Sequence, residues 1–176
     1  MRKLKLHELN RDSIEEFRSK DKYPVVVVLD NIRSALNVGS IFRSSDAMNI
    51  EHVHLCGITA KPPHKEINKT AIGATESVSW SYHESAEELV SELKTDHCII
   101  AVEQTDASIS LDDFKLDDPR GKYALILGNE VEGVSDALID RVDMALEIPQ
   151  FGTKHSFNVS VCAGIVLWEA VKQLRK

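Results

Sequence analysis

The sequence has few of the features that place a protein in a membrane or outside the cell. Its 176 residues contain no internal repeat, no low-complexity tract and no apolar run near the ~20 residues that a membrane-spanning helix requires. The uncharged run at 25–29 is far too short, and the opening segment MRKLKLHELNRD lacks the apolar region of a signal peptide. We therefore predict neither secretion nor membrane insertion, and a cytoplasmic location.

Cysteine is also scarce. Cys56, Cys98 and Cys162 are odd in number and widely spaced, and each lies in an apolar run. A disulfide framework needs paired cysteines and an oxidising compartment. The pattern instead predicts free, buried thiols in a reducing compartment.

The chain has no excess of basic residues, since its net charge is −7. Taken alone, this charge argues against a nucleic-acid partner. However, residues 84–118 contain eleven acidic residues and two lysines, a local charge of −9, so the remaining residues sum to +2. We interpret the acidic segment as a solvated helix face and loop, and the rest of the chain remains compatible with an RNA-binding face.

Alternating strand and helix patterns predict one α/β domain over residues 1–176, with a helical N-terminal segment at about 1–22. The β-branched, unalternating run at 24–29 is typical of a strand covered on both faces of a parallel sheet. Further strands are predicted at 52–56, 97–102, 123–127 and 144–148. Helices are predicted at 13–20, after an N-cap at Asn37, at 65–71, 85–94 and 135–141, and from Ser156 or Asn158 to Leu174.

The C-terminal helix has two apolar stripes. One consists of Val159, Ala163, Val166, Leu167, Ala170 and Leu174, and the other of Val161, Ile165 and Trp168. Either the helix is enclosed within one chain, or the second stripe packs on another subunit. We favour the second interpretation, because chain-terminal helices usually keep one face in water.

Common catalytic signatures are missing. The sequence has no G-x-G-x-x-G, no G-x-x-x-x-G-K-[ST] and no G-x-S-x-G motif, so the usual dinucleotide, P-loop and hydrolase sites are not predicted. His52 and His54 point to one face of a strand, but no third ligand lies at useful spacing. We predict packing at a strand edge for them and no metal site.

Polar residues follow three predicted strands, where open α/β sheets bind ligands. After the first strand, Asn37, Ser40 and Arg43 recur at helical spacing, and Gly39 would let a partner backbone or a phosphate approach. A capped surface helix with a solvated arginine explains this segment equally well. The second segment is the Gly-bounded acidic turn 128–133, and the third is the polar loop 148–160, rich in hydroxyl and amide groups.

Together the three segments resemble the SpoU/TrmH-type RNA ribose 2′-O-methyltransferases of the SPOUT superfamily, over about residues 24–171. The family's N-x-G-x-x-x-R motif falls on Asn37, Gly39 and Arg43, and its G-x-E-x-x-G motif on Gly128, Glu130 and Gly133. The third motif, I-P-x-x-G-x-x-x-S-L-N-V-S, falls on Ile148, Pro149, Gly152, Ser156, Phe157, Asn158 and Ser160, with Phe157 replacing the usual Leu and Glu169 following.

The resemblance implies a mostly parallel sheet with helices on both faces and a deep C-terminal trefoil knot at about 123–174. Sequence rules alone predict an unknotted sheet. It further implies a homodimer through the knot region, and an S-adenosyl-L-methionine site formed by the backbone around Leu127, Gly128, Gly133, Ile148 and Phe157.

The implied reaction is methylation of a ribose 2′-hydroxyl in RNA, with tRNA favoured over rRNA and no metal required. The resemblance assigns Arg43 as the base, assisted by a substrate phosphate. Because arginine stays protonated in proteins, it would equally act as a clamp on phosphate and on the developing alkoxide.

Asn37 and Glu130 would orient Arg43 or the ribose, while Ser156 and Asn158 would line the reacting centre. The segment Lys154-His155 would add a phosphate contact. Two alternatives remain open. The first is a non-catalytic RNA-binding module that has kept the fold, and the second is a base-methylating SPOUT enzyme.

Overall fold

The computed structural model describes residues 1–5 and 8–175, in which seven helices and seven strands are arranged along the chain. The helices are α1 (Ile14–Ser19), α2 (Ala35–Ala47), α3 (Lys65–Ala71), α4 (Ala74–Ser77), α5 (Ala86–Leu93), α6 (Asp136–Ile139) and α7 (Val159–Leu174). The strands are β1 (Tyr23–Asp30), β2 (Ile50–Cys56), β3 (Trp80–His83), β4 (Cys98–Val102), β5 (Ile109–Ser110), β6 (Tyr123–Leu127) and β7 (Met144–Glu147).

All seven strands belong to one sheet in the order β3-β2-β1-β6-β4-β7-β5. Every pair of neighbouring strands within the described residues is parallel. The predicted α/β class with a mostly parallel sheet is therefore confirmed. Residues of α2 and α7 belong to the hydrophobic cluster on one face of the sheet, and residues of α5 and α6 to the cluster on the other.

Strand β1 shows why the unalternating run is buried on both faces. Val25 and Val27 belong to the cluster with α2 and α7, whereas Val26 and Val28 belong to the cluster with α5 and α6. Each of these four residues is at most 3% exposed. A central strand of a doubly covered sheet needs apolar side chains on both faces, as the sequence predicts.

The start of α2 differs from the prediction. Ser34, in an extended conformation, is the N-cap, and its Oγ accepts a hydrogen bond from the Asn37 backbone N–H at 3.4 Å. The N-cap prediction for Asn37 is therefore wrong, because Asn37 is the third residue of the helix. Its side chain is left to bind elsewhere.

Gly39 allows a close contact between two helices. A Cβ at this position would lie 2.2 Å from Thr70 Oγ1 and 2.3 Å from the Ile67 carbonyl oxygen, so α3 crosses directly over α2 there. The Thr70 hydroxyl also donates to the Leu36 carbonyl at 2.9 Å. Of the two roles predicted for Gly39, the structure shows approach of a backbone, that of α3, and corrects the phosphate alternative.

Several short elements escaped prediction. These are α4, β3 and β5, none longer than four residues. Boundaries also shift by one or two residues elsewhere: the helix predicted at 135–141 spans only α6, the strand predicted at 52–56 begins at Ile50, the strand predicted to 148 ends at Glu147, and Asn158 rather than Ser156 caps α7. Elements of four residues or fewer, such as α4, β3 and β5, are too short to show a periodic pattern of apolar residues.

The two stripes of α7 have different environments. Val159, Ala163, Val166, Leu167 and Ala170 are buried, as the first stripe predicts. On the second stripe Val161 is 47% and Trp168 52% exposed, while Ile165 is half-buried. Enclosure of the whole helix within one chain is therefore excluded. Burial of all three thiols is also incorrect, because Cys162 on α7 is only half-buried.

The trefoil knot expected at 123–174 stays a prediction. Over this range the structure places β6 between β1 and β4 and packs α7 against α2 and β1. Within residues 1–5 and 8–175, no helix combines the length and apolarity needed to cross a bilayer. The predicted N-terminal segment includes Leu6 and His7, and the domain ends at Lys176; these three residues lie outside the described ones.

Candidate active site

The loops that follow β1 and β6 are fixed to one another at the carboxyl edge of the sheet. Asp30, buried at the end of β1, accepts hydrogen bonds from the Ser135 backbone N–H at 3.0 Å and from the Asn31 side chain at 2.8 Å. The Asn129 side chain donates to the Asn31 carbonyl at 2.9 Å. Parallel strands all end at this edge, so the polar segments singled out in the sequence meet here.

Asn37, Glu130 and Asn158 form one hydrogen-bonded chain across three segments. Asn158 Nδ2 donates to Asn37 Oδ1 at 3.1 Å, and Asn37 Nδ2 donates to Glu130 Oε1 at 2.8 Å. Asn158 Oδ1 in turn accepts from the backbone N–H of Ser160 at 2.9 Å and so caps α7. The network therefore joins the starts of α2 and α7 to the turn after β6.

Glu130 is held as a carboxylate by donors at the start of α2. Its two oxygens accept hydrogen bonds from the backbone N–H groups of Arg33 at 2.8 Å and Ser34 at 3.0 Å, besides the Asn37 amide. Partial burial opposes ionisation, but these hydrogen bonds outweigh it and lower the pKa of Glu130 below its ordinary value of 4.5. A negative charge at a helix N-terminus is further favoured by the helix dipole.

The glycines of the turn after β6 make room for the chain itself. A Cβ on Gly128 would lie 2.1 Å from the backbone nitrogen of Val134. Gly133 has a φ of +75°, and a Cβ there would lie 2.2 Å from Glu103 Oε2. Protein atoms therefore fill the space that the missing side chains of these two glycines leave.

A cleft of about 320 Å³ lies beside the network. Its walls come from the ends of β4, β6 and β7, from the loops that follow them and from the start of α7. All five residues predicted to surround the cofactor line it: Leu127, Gly128, Gly133, Ile148 and Phe157. The structure thus brings the predicted cofactor residues together in one cavity.

Glu103 and Gln104 also line the cleft, and the sequence analysis missed both. Glu103 Oε2 accepts from the Val134 backbone N–H at 3.0 Å, and Gln104 Nε2 donates to the His155 carbonyl at 2.9 Å. They connect the end of β4 to the turn after β6 and to the loop before α7. One signal was available, since Glu103 directly follows a buried strand just as Asp30 ends one.

Two predicted catalytic residues lie outside the hydrogen-bonded network. Ser156 is exposed and lines the mouth of the cleft. Arg43 is exposed on α2 and, within the described part of the chain, forms no ion pair or side-chain hydrogen bond with Asn37, Glu130 or Asn158. Ser40, between Asn37 and Arg43, donates to the Leu36 carbonyl at 2.9 Å.

The histidines of β2 pack near the sheet edge with residues of β3. His54 Nδ1 lies 3.1 Å from both Ser81 Oγ and His83 Nε2, and His52 Nε2 lies 2.9 Å from the same hydroxyl. Burial and the neighbouring imidazoles lower the pKa of His54 to about 3. Among the residues described, no group of three or more His, Cys, Asp or Glu side chains is arranged to hold a metal ion.

Residues 24–168 match the profile of the SpoU rRNA Methylase family, so the chain belongs to this family. A 23S rRNA (guanosine-2′-O-)-methyltransferase RlmB of Vibrio vulnificus is 27% identical over 94% of this chain and 66% of its own length. A tRNA (guanosine(18)-2′-O)-methyltransferase of Borreliella burgdorferi is 26% identical over 85% of this chain and 66% of its own. The chain thus spans just under two thirds of these relatives.

Solved structures share the fold. The SpoU methyltransferase AviRb from Streptomyces viridochromogenes, in complex with the cofactor AdoMet, superposes with a TM-score of 0.78 at 24% identity. The match covers 89% of this chain and 63% of that one. The mostly parallel sheet with helices on both faces, expected from the family resemblance, is confirmed.

Proposed function

We propose that this protein transfers a methyl group from S-adenosylmethionine to a ribose 2′-hydroxyl in RNA. The observation that carries the proposal is the hydrogen-bonded chain of Asn37, Glu130 and Asn158 beside the cleft. Each residue comes from a different motif of the family. A binding module would not need this carboxylate and these two amides fixed against each other at a cavity mouth.

The cleft suits S-adenosylmethionine in shape and charge. Leu127, Ile148 and Phe157 give it apolar walls of the kind that an aromatic base requires, and its volume lies within the usual range for small-molecule sites. Its charged lining is acidic, with Glu103, Glu130, Glu132 and Glu147. When bound, S-adenosylmethionine supplies a methyl group on a positively charged sulfur, which such a lining attracts.

The side chains at the cleft mouth fit the role of orienting a ribose. As the new C–O bond forms, the S–C bond breaks with its electron pair left on sulfur, the hydroxyl proton passes to solvent water, and negative charge develops on the oxygen during the transfer. The Asn37 and Asn158 amides are held at fixed angles by Glu130 and by the start of α7. In the proposal, Ser156 contacts the same ribose, and Arg43 binds a substrate phosphate and stabilises the developing alkoxide.

The RNA class is part of the proposal. The two relatives act on rRNA and on tRNA respectively, according to their names. We retain tRNA as the favoured substrate, and the cytoplasm as the compartment in which both RNA classes are met. The exposed stripe Val161, Ile165 and Trp168 supports a homodimer through α7.

Two measurements test the proposed reaction. Calorimetry with a chelator present should show S-adenosylmethionine binding without added metal. In the second, the purified protein is incubated with tritiated S-adenosylmethionine and total RNA from cells that lack the protein. The RNA should become labelled, and digestion should recover the label on ribose. No heat of binding at millimolar ligand would favour the binding-module alternative, and label on a base would favour a base-methylating enzyme.

A further inference from the structure

Exposed cations are concentrated on one side of the candidate active site. Arg33 precedes α2, Arg43 lies on α2, Lys61 follows β2, and Lys65 and Lys69 lie on α3. All five are exposed. Within residues 1–5 and 8–175 none of them takes part in an ion pair. We call these five residues the α2–α3 basic surface.

Near the amino ends of β4, β6 and β7, by contrast, several cations are paired with carboxylates. Lys94 Nζ lies 3.6 Å from Asp143, and Lys122 Nζ lies 2.9 Å from Asp96. Arg120 is paired with Asp118 at 2.7 Å and with Asp143 at 3.0 Å. Among the described residues, the five cations of the α2–α3 basic surface are therefore not compensated by ion pairs, although the net charge of the chain is −7.

The fold holds these cations next to one another. Helix α3 crosses α2 at Gly39, and Arg43 lies one turn beyond Gly39 along α2. Lys65 and Lys69 are four residues apart and therefore share one face of α3. Lys61 Nζ lies 3.9 Å from the centre of the Tyr82 ring, which limits the movement of its side chain.

The surface adjoins the cleft. Arg33 is anchored through its backbone N–H to Glu130 at 2.8 Å, and Glu130 also lines the cleft. The loop that carries Lys61 begins beside Asn31, whose side chain accepts from the Ile58 backbone N–H at 3.2 Å. Helix α3 contains one acidic residue, Glu66, against its two lysines, so its exposed surface keeps a positive charge. Positive charge therefore extends from the cleft mouth across α2 to α3.

We propose that the α2–α3 basic surface binds the phosphate backbone of the RNA that flanks the target nucleotide. Regularly spaced phosphates are the polyanion that unpaired lysine and arginine side chains recognise, and such contacts fix the orientation of a nucleic acid without reading its sequence. The acid-rich segment 84–118 would repel the same phosphates. The RNA strand therefore approaches the cleft from the side of α3. This inference rests on the proposed function.

The test compares two double variants. Lys65→Gln/Lys69→Gln removes two cations from the surface, and Lys94→Gln/Lys115→Gln removes the two lysines of the acid-rich segment 84–118 as a control with the same change of charge. Fluorescence anisotropy measures the affinity for a fluorescein-labelled RNA hairpin over a salt series. Each lost phosphate contact lowers the slope of log K against log salt by about 0.9 on a duplex.

For the surface variant, the slope of log K against log salt should therefore be smaller in magnitude by about 2. Its affinity for the RNA hairpin at low salt should fall about tenfold or more. Its affinity for S-adenosylmethionine should stay within a few-fold, because the two lysines lie outside the cleft lining. The control should keep the parent slope.

An unchanged slope in a folded Lys65→Gln/Lys69→Gln protein would overturn the inference, even if the parent enzyme methylates RNA. Competition by polyglutamate as strong as by unlabelled hairpin would also overturn it, because an acidic protein would then be the partner. Conversely, a reduced slope in a protein without methyl-transfer activity would support the surface and contradict the proposed reaction.

Discussion

Arg43 is separated from three other groups predicted to be catalytic, the Asn37 and Asn158 amides and the Glu130 carboxylate. It lies six residues beyond Asn37, which corresponds to about 9 Å along α2 and to a different side of the helix. Asn37 points to Glu130 and Asn158, whereas Arg43 is exposed and one turn beyond the crossing with α3. This position suits a contact with a substrate phosphate better than a contact with the cofactor.

Replacement of Arg43 should therefore separate catalysis from cofactor binding. Arg43→Lys keeps a positive charge but loses the planar fork that binds phosphate through two hydrogen bonds, and Arg43→Ala loses both. Loss of a group that stabilises a developing oxyanion lowers the rate on the order of 10²–10³-fold. We expect that loss in both variants, measured as tritiated methyl transfer to RNA.

The affinity of the Arg43 variants for S-adenosylmethionine, measured by calorimetry, should stay within a few-fold of the parent. Arg11→Lys, at an exposed arginine of the N-terminal segment, serves as the control and should keep full activity. Full activity of Arg43→Ala would remove Arg43 from the mechanism.

At the scale of elements, long periodic segments were predictable and contacts between distant segments were not. The buried run of β1 and the helix predicted at 13–20 follow from local sequence and are confirmed, the helix as α1 with a capping box at Ser13. Asn37 lies inside α2 instead of capping it, and its side-chain amide donates to Glu130, 93 residues away in sequence. Local pattern cannot supply a partner at that separation.

The family motifs supplied those partners instead, and they did so unevenly. They identified Asn37, Glu130 and Asn158, which the structure joins, and the residues that line the cleft. They did not identify Glu103 or Gln104, because no motif covers the end of β4. They also did not show that the motif glycines Gly39 and Gly128 each admit another part of the chain.

The hydrogen bonds from the start of α2 to the Glu130 carboxylate, which we call the Glu130 clamp, predict a pH-dependent contribution to stability. Glu130→Gln removes the charge and replaces one acceptor oxygen by an NH₂ group facing N–H donors. At neutral pH we expect a loss on the order of 1–2 kcal/mol in the free energy of unfolding, since hydrogen bonds to a charged acceptor are lost. Urea denaturation followed by circular dichroism measures it.

The sign of the pH effect follows from the lowered pKa of Glu130 in the folded protein. Its stabilising effect is present above the ordinary value of 4.5 and is lost as pH falls through the folded pKa. The difference between parent and Glu130→Gln should therefore shrink below pH 4.5. Glu132→Gln, whose carboxylate accepts no hydrogen bond among the described residues, is the control. A difference that stays constant with pH would contradict the clamp.

At the scale of the whole molecule, charge and apolar surface are separated. The α2–α3 basic surface lies on one side of the cleft, and the acid-rich segment 84–118 contains α5 and β4 in the opposite half of the sheet order. The second apolar stripe of α7, which consists of Val161, Ile165 and Trp168, lines a groove together with Leu111. Each of these surfaces is thereby available to a different partner.

The groove on α7 predicts that two copies of the chain associate through this helix. Val161 and Trp168 are about half exposed and adjoin Ile165 and the small Gly164, so a second α7 can approach closely. Light scattering should give twice the chain mass of 19.7 kDa at micromolar concentration. Ile165→Glu places a charge in the middle of the apolar contact and should shift the mass toward one chain or make the protein insoluble. Glu92→Gln, exposed on α5 at the other face of the sheet, should remain dimeric. A parent protein of one chain mass would exclude this interface and leave the exposed tryptophan without a partner.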